Sequence, residues 1–499
     1  MRGTIPANKF IHRNPTRIKH IRNPSEFEFF LIQSLPDCGQ IVTTRRGSTA
    51  RRQCHHGRCQ STPIHRLMHR RNQRPLSTFP TAIASFVAIA NFPKETFMQK
   101  FILNAALCLL LGILAACGGG GSSADNSTST SQPSGKNGPA QNQIAVTVGP
   151  NAYNARNMLY TSVIICVPGT SNCQTIDNIQ VDTASNGLRV MASALTLPLP
   201  PSTAAAGGTL TECSIFGPGA AWGPVVSADI KLAGEIAANA PIQLVADPSF
   251  AGSASAQCAS NGVANLDTPA AMHANGVLGI GIHTNDCGAN CASSTSSGQY
   301  FGCLANASSC APSTVPESSQ VANPISLFAT DNNGASISLP SVPATGSSTV
   351  TGTLTFGIDT QANNALGSAK IYSVDNYGNF VTVFNGKTLT AFLDSGSNGL
   401  FFTDDIPQCS GNSFYCPSST QSYSAVIQGR NGNSTTVDFN VANAVTMTGN
   451  GMYAMDSFAA DAGMPTLFDW GLPFYYGRTV FMAIAGKKTA EGVGPFAAF

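Results

Sequence analysis

The stretch VDTASNGLRV, residues 181–190, decides how this chain is read, because LDSGSNGLFF follows at residues 393–402. From Asp182 to Leu188 and from Asp394 to Leu400, five of seven residues are identical. The two that differ keep their chemistry: Thr183 against Ser395 is hydroxyl for hydroxyl, and Ala184 against Gly396 is small for small. In each copy apolar residues deliver the chain to an aspartate, Ser, Asn and Gly supply the turn, and a leucine returns to the interior. One copy alone reads as an ordinary Asx-turn. Two copies 212 positions apart imply a duplicated unit whose turns can meet. Two carboxyls brought within hydrogen-bond distance cannot both ionise at low cost, so they hold one proton between them. Such a pair can take a proton from water and give one to a leaving nitrogen.

Outward from these turns, the 499-residue chain is uneven in charge. Residues 1–97 hold 16 of the 27 Lys and Arg but only 4 of the 25 Asp and Glu, whereas residues 98–499 are net acidic. The basic segment has no sustained apolar period. It reads as a start assigned too early or a disordered arm, rather than as a nucleic-acid-binding unit. At Met98 the sequence MQKFILNAALCLLLGILAACGGGGSS has the grammar of a secretory signal: a lysine, an apolar run over 101–116 too short to span a bilayer, then small residues. Leu114-Ala115-Ala116-Cys117 resembles a bacterial lipobox, so Cys117 is expected to carry lipid and to hold the protein at the cell envelope, on the outer membrane. Residues 117–143 read as a flexible tether.

From about Ile144 the texture becomes short apolar runs separated by Gly, Asn, Ser and Pro. IAVTVG, SVIICV, APIQLVAD, STVTGTLTFGI, AKIYSVD, NFVTVF and SAVIQG read as strands, and long amphipathic helices are scarce. The fold class expected is mainly β, with one lobe over 144–345 and a second over 346–499. Ten cysteines follow Cys117, an even number that suggests disulfides in an exported chain. Short-loop neighbours are Cys166/Cys173, Cys287/Cys291, Cys303/Cys310 and Cys409/Cys416, leaving Cys213/Cys258. Zinc is the alternative use, but paired CxxC spacings are missing, so no metal is expected.

The order of the signals resembles the pepsin family of aspartic proteases from about residue 144 to 499. IFGPGAAWGPVVSADIKL (215–232) is similar to the family's flap hairpin, with Phe216, Gly217, Gly219, Gly223 and Asp229 on its characteristic positions. NGVLGIG (275–281) resembles the segment that completes the first lobe, GTLTFGID (352–359) the strand that opens the second, and WGLPFYYGRTVF (470–481) its closing segment. The resemblance implies a bilobal acid-protease fold with pseudo-twofold symmetry. It implies Asp182 and Asp394 as the catalytic pair, Ser185 and Ser397 as hydroxyls on their outer oxygens, and Thr183 and Ser395 as a cross-lobe pair. Phe216 would tip the flap. The implied reaction is attack of an activated water on a peptide carbonyl, with no cofactor, a peptide or protein substrate, and a monomeric enzyme.

The chain departs from the family at Ala184, where a glycine is nearly standard, and at Phe216, where a tyrosine is usual. Arg189 replaces an aromatic partner of that tyrosine and is expected to bring positive charge to the cleft. The closing segment is one residue shorter between Gly471 and Phe481. These departures suit either a divergent enzyme or a catalytically weak peptide-binding protein; a β-rich structural lipoprotein is the third reading. A His-based nucleophile site would have to use His273 or His283, for which hydrogen-bonded structural roles are expected. No nucleophile elbow, Walker loop or dinucleotide fingerprint occurs, and the basic clusters end at residue 97, so no nucleic-acid partner is expected.

Overall fold

A computed structural model describes residues 141–253, 258 and 264–499. The basic segment, the signal-like run, Cys117 and nearly all of the tether lie outside the described residues. What is described is mainly β, and each of the seven expected strands overlaps an observed one.

The duplicated turns sit in matching three-strand units. In the first, the incoming strand Cys173–Asp182 ends at the aspartate, and Asn186–Met191 leads away from it. The closing strand Gly276–Ile280 lies between them, parallel to the incoming strand and antiparallel to the outgoing one. In the second, Lys387–Leu393 delivers the chain to Asp394 and Leu400–Phe402 leads away. Leu467–Trp470 closes that unit, again parallel to the first strand and antiparallel to the second. Buried side chains fix the register: Ile179, Val181, Leu188 and Val190 in one unit, and Ala391, Leu393, Leu400 and Phe402 in the other. A one-residue slip would turn these sets away from the core. Each closing segment has a glycine against the acidic turn. A Cβ on Gly279 would lie 2.7 Å from the Asn186 amide nitrogen, and one on Gly471 would lie 1.9 Å from the Gly399 carbonyl oxygen.

One large sheet runs across both halves. Gln143–Val148 pairs antiparallel with Val350–Phe356, which pairs with Gly334–Leu339, which in turn pairs with Arg478–Ala483. The connection containing residues 345 and 346 therefore joins two strands that are hydrogen-bonded to each other. The second unit belongs to a separate seven-stranded sheet. Its core is aromatic: Phe468 stacks on Phe402 at 4.9 Å and on Trp470 at 4.3 Å. The Trp470 indole N–H donates to Thr382 Oγ1 at 2.8 Å, so the ring is buried without an unpaired donor. Thr209–Phe216 and Gly219–Leu232 form a hairpin whose last pair is Phe216 with Gly219, leaving Gly217 and Pro218 at the tip.

All ten described cysteines are joined, as Cys166–Cys173, Cys213–Cys258, Cys287–Cys291, Cys303–Cys310 and Cys409–Cys416. No thiolate among them is left to bind zinc. Four of these bridges close loops of 4 to 7 residues, but Cys213–Cys258 closes one of 45 and ties the hairpin to the segment beyond it. Loop-closure entropy grows with the logarithm of loop length, giving about 4 kcal/mol for the long bridge against roughly 2 kcal/mol for a seven-residue one. Cys213→Ala with Cys258→Ala should therefore lower the denaturation free energy more than Cys166→Ala with Cys173→Ala, as read by guanidinium unfolding.

Candidate active site

The two acidic turns meet through the residues in which the copies differ least in chemistry. The Thr183 N–H donates to Ser395 Oγ at 3.2 Å, and the Ser395 N–H donates to Thr183 Oγ1 at 2.9 Å. Each hydroxyl passes its own proton to the carbonyl just before the opposite aspartate: Thr183 Oγ1 to Leu393 at 3.0 Å and Ser395 Oγ to Val181 at 2.8 Å. Both side chains are buried, so removing either hydroxyl would strand an amide and a carbonyl away from water. Because the Thr183 proton is committed, the Tyr475 hydroxyl, 2.8 Å away, must donate to Thr183 Oγ1. Gln180 adds another tie, donating from Nε2 to the Gly396 carbonyl at 2.7 Å.

This lattice brings Asp182 and Asp394 into hydrogen-bonding contact. They are 5% and 2% exposed, so water screens neither. The turns furnish donors in a repeated pattern. Asp182 Oδ1 accepts from the Ala184 N–H at 2.8 Å, and Oδ2 accepts from Ser185 Oγ. Asp394 Oδ1 accepts from the N–H groups of Gly396 at 2.8 Å and Ser397 at 3.1 Å, while Oδ2 accepts from Ser397 Oγ at 2.8 Å. Two ionised carboxylates at ~3 Å would still repel by roughly 5 kcal/mol at an effective dielectric of about 20, so one proton stays with the pair. Burial, then the charge of Asp182, hold the Asp394 proton well above the usual carboxylate range, against the pull of the Ser397 and Gly396 hydrogen bonds.

Ala184 leaves the first turn intact. Its amide reaches Asp182 at the same 2.8 Å that Gly396 keeps to Asp394, and its φ is not left-handed. The requirement for glycine is at Gly396 and it is steric: an added Cβ would lie 2.8 Å from Asp182 Cγ and 3.1 Å from Asp394 Oδ1. Above the pair the hairpin tip, Phe216 with Gly217 and Pro218, closes a cavity lined also by Gln180, Leu266, Met272, Val277 and Ser397. It offers about 30 Å³ for water, more than the ~10–15 Å³ one molecule needs.

Arg189 differs from its sequence expectation. It is 3% exposed and its Nη2 is paired with Glu212 at 2.7 Å and Asp286 at 2.8 Å. Its Nε donates to Ser214 Oγ at 2.7 Å, and the guanidinium lies 5.6 Å from the Phe216 ring. The cleft gains no free positive charge, because two buried carboxyls face that cation; it secures the base of the hairpin instead. Gly219 lies within the hairpin, where a Cβ would meet the Ala264 carbonyl oxygen at 2.3 Å. His283 Nε2 is 2.7 Å from the Asn376 carbonyl, and His273 caps the helix Pro269–Met272 with left-handed backbone. Neither meets a serine or cysteine nucleophile in the contacts of the described residues.

Sequence reading passed over Gln180, Tyr475 and Asp469. Asp469 stands inside the strand Leu467–Trp470 and is 3% exposed. An acid within the apolar run LFDW was the available signal, since local misfits gather at functional sites.

Among solved structures, the chain is similar to the aspartic proteinase from Irpex lacteus, with a TM-score of 0.42 and 14% identity over 71% of this chain and 97% of that one. No curated protein matches it. Residues 138–499 match the family described as "Protein of unknown function (DUF3443)", and the chain belongs to that family.

Proposed function

We propose that the chain is an aspartic endopeptidase, anchored by lipid on Cys117 to the bacterial outer membrane, that hydrolyses peptide bonds with Asp182, Asp394 and an activated water. The observation that carries this reading is the pair of buried carboxyls in hydrogen-bond contact beneath a hairpin tip, with space for water above them. In the reaction the ionised member of the pair takes a proton from water. The water oxygen bonds to the peptide carbonyl carbon as the pair's other proton passes to the carbonyl oxygen. As the resulting diol collapses the C–N bond breaks, the pair's proton goes to the departing nitrogen, and one diol hydroxyl returns its proton to the pair as the C=O re-forms. No covalent enzyme intermediate forms, and the pair ends with the single proton it began with. The reaction needs one proton on the pair, so cleavage is expected to fall on both sides of a pH window. The space under the tip, about 30 Å³ for water, is small for a peptide strand, so substrate entry is expected to lift the tip. Leu266, Met272 and Val277 then offer an apolar wall to side chains beside the cut bond.

A second reading is a peptide-binding protein with little turnover, favoured by Phe216, whose ring puts no hydroxyl at the hairpin tip. Cleavage of an unfolded protein substrate from acid to neutral pH by purified residues 118–499 separates the two. The endopeptidase reading expects cleavage that Asp182→Asn and Asp394→Asn each reduce by at least ~10³-fold, within the range general acid–base groups contribute. Peptide binding without cleavage at any pH would favour the second reading. Gly396→Ala should remove cleavage while the melting transition remains cooperative, because its methyl wedges between the carboxyls; Ala184→Gly should leave the rate within a few fold.

A further inference from the structure

We propose that a second pocket beside the catalytic cavity, built around Arg156, selects peptides that carry an acidic side chain, glutamate or aspartate, near the bond to be cut. The inference names the substrate class of the proposed endopeptidase and, for its cleavage part, rests on that reading.

The pocket adjoins the catalytic cavity through two pairs of chain neighbours. Met272 and Ser397 line the cavity under the hairpin tip, and the residues that follow them, His273 and Asn398, line the second pocket. Both halves contribute: Arg156, Met158 and His273 come from the first, Asn398, Phe414 and Phe458 from the second. The pocket offers about 110 Å³ for water, against about 30 Å³ above the two aspartates. It has room for a side chain of a peptide lying across the acidic turns, with Met158, Phe414 and Phe458 to cover the methylenes.

Charge decides what the pocket takes. Among its described lining residues there is no Asp or Glu, and Arg156 is the one Lys or Arg. The ion pairs among the described residues are those of Arg189 and Arg430, so Arg156 has no carboxylate partner among them. Its guanidinium is held in place all the same. It lies 4.1 Å over the Tyr453 ring, and Nη1 donates to the Met452 carbonyl at 2.5 Å. Tyr453 is fixed in turn by its hydroxyl, which donates to Asn154 Oδ1 at 2.8 Å. The Met452 bond uses one of the guanidinium's several N–H donors. A planar fork held in this way loses little freedom on pairing with a carboxylate.

Asn398 adds a second recognition group. Its backbone carbonyl accepts from Asn157 Nδ2 at 2.9 Å, but its buried side-chain Oδ1 has no hydrogen-bond partner among the described residues. A buried acceptor without a donor is rare and costly. The N–H of a bound peptide is such a donor. The catalytic cavity next to it has the opposite character, with Asp182 and Asp394 on its wall and no Lys or Arg among its described lining residues. An acidic side chain is therefore repelled from the two aspartates and drawn to Arg156, which sets the placement of the peptide as well as its choice.

Two measurements test the proposal. The first needs no turnover. Octapeptides of alanine and leucine, with a single Glu moved through each position and Gln in its place as the control, are titrated into the Asp394→Asn protein. At one position or two adjacent ones Glu should bind about 10-fold or more tighter than Gln, as a charge-assisted contact exceeds a neutral one. Adding Arg156→Gln should bring that ratio toward one. Adding Arg156→Glu instead should make the same position prefer Lys over Gln, a change that a damaged fold does not give. No position at which Glu exceeds Gln, no binding of any peptide in the series, or a preference that survives Arg156→Gln would overturn the proposal.

The second measurement reads cleavage. In wild type the ratio of kcat/KM for Glu and Gln peptides should show the same dependence on position, and Arg156→Gln should remove it. Cleavage with a flat ratio would overturn the role of the pocket and leave the endopeptidase reading standing. If wild type cuts no peptide, the endopeptidase reading fails, and the binding series alone decides whether Arg156 reads an acidic side chain.

Discussion

The reciprocal bonding of Thr183 and Ser395 is the constraint on which the rest of the site depends. Each hydroxyl accepts from the backbone of the opposite turn and donates to the carbonyl one residue before the opposite aspartate. That geometry leaves little freedom for Asp182 and Asp394. Their side chains are held together because their backbones are, and the cost of their mutual repulsion is met by the four buried hydrogen bonds and a retained proton. The closing strands support the arrangement from beneath, with Gly279 and Gly471 letting each strand approach its turn. Pulling the turns apart would therefore break several satisfied buried groups at once, not a single contact.

The two halves use this arrangement unequally. In the first half a buried cation is present, Arg189, paired with Glu212 and Asp286 under the hairpin. In the second half no described ion pair involves Asp394, and the buried Asp469 stands on the strand paired with Lys387–Leu393. A pair of carboxyls set in unlike surroundings is the general way one site obtains an acid and a base from the same residue type. The aromatic stack of Phe402, Phe468 and Trp470 fills the core of the second half.

Much of this was legible in the sequence because duplication makes chemistry visible twice. The seven-residue match put the two aspartates in corresponding turns, and the resemblance to the pepsin family implied the cross-lobe bonding of Thr183 and Ser395. The cysteine spacings also sufficed, since short loops left Cys213 and Cys258 to each other. Strands such as SAVIQG were readable from β-branched runs between turn residues. Arg189 was misread because its partners, Glu212 and Asp286, are 23 and 97 residues away, and only folding brings them to the guanidinium. Tyr475 and Gln180 were hidden for the same reason: a hydroxyl or an amide in an apolar run shows nothing of its partner. Asp469 was the exception, a visible misfit whose neighbours were not. The large sheet that crosses from one half to the other is likewise a product of long-range pairing between Gln143–Val148 and Val350–Phe356, which local patterns do not encode.

The central claim is that burial, and then the charge of Asp182 beside it, keeps the proton on Asp394. Carbon-13 NMR titration of the Asp394 carboxyl, in the wild-type protein and in Asp182→Asn, measures this directly. The account predicts a wild-type midpoint well above the ordinary 3.8 that moves down when the Asp182 charge is removed. An Asp394 carboxyl that titrates near 3.8 and does not respond to Asp182→Asn would contradict it.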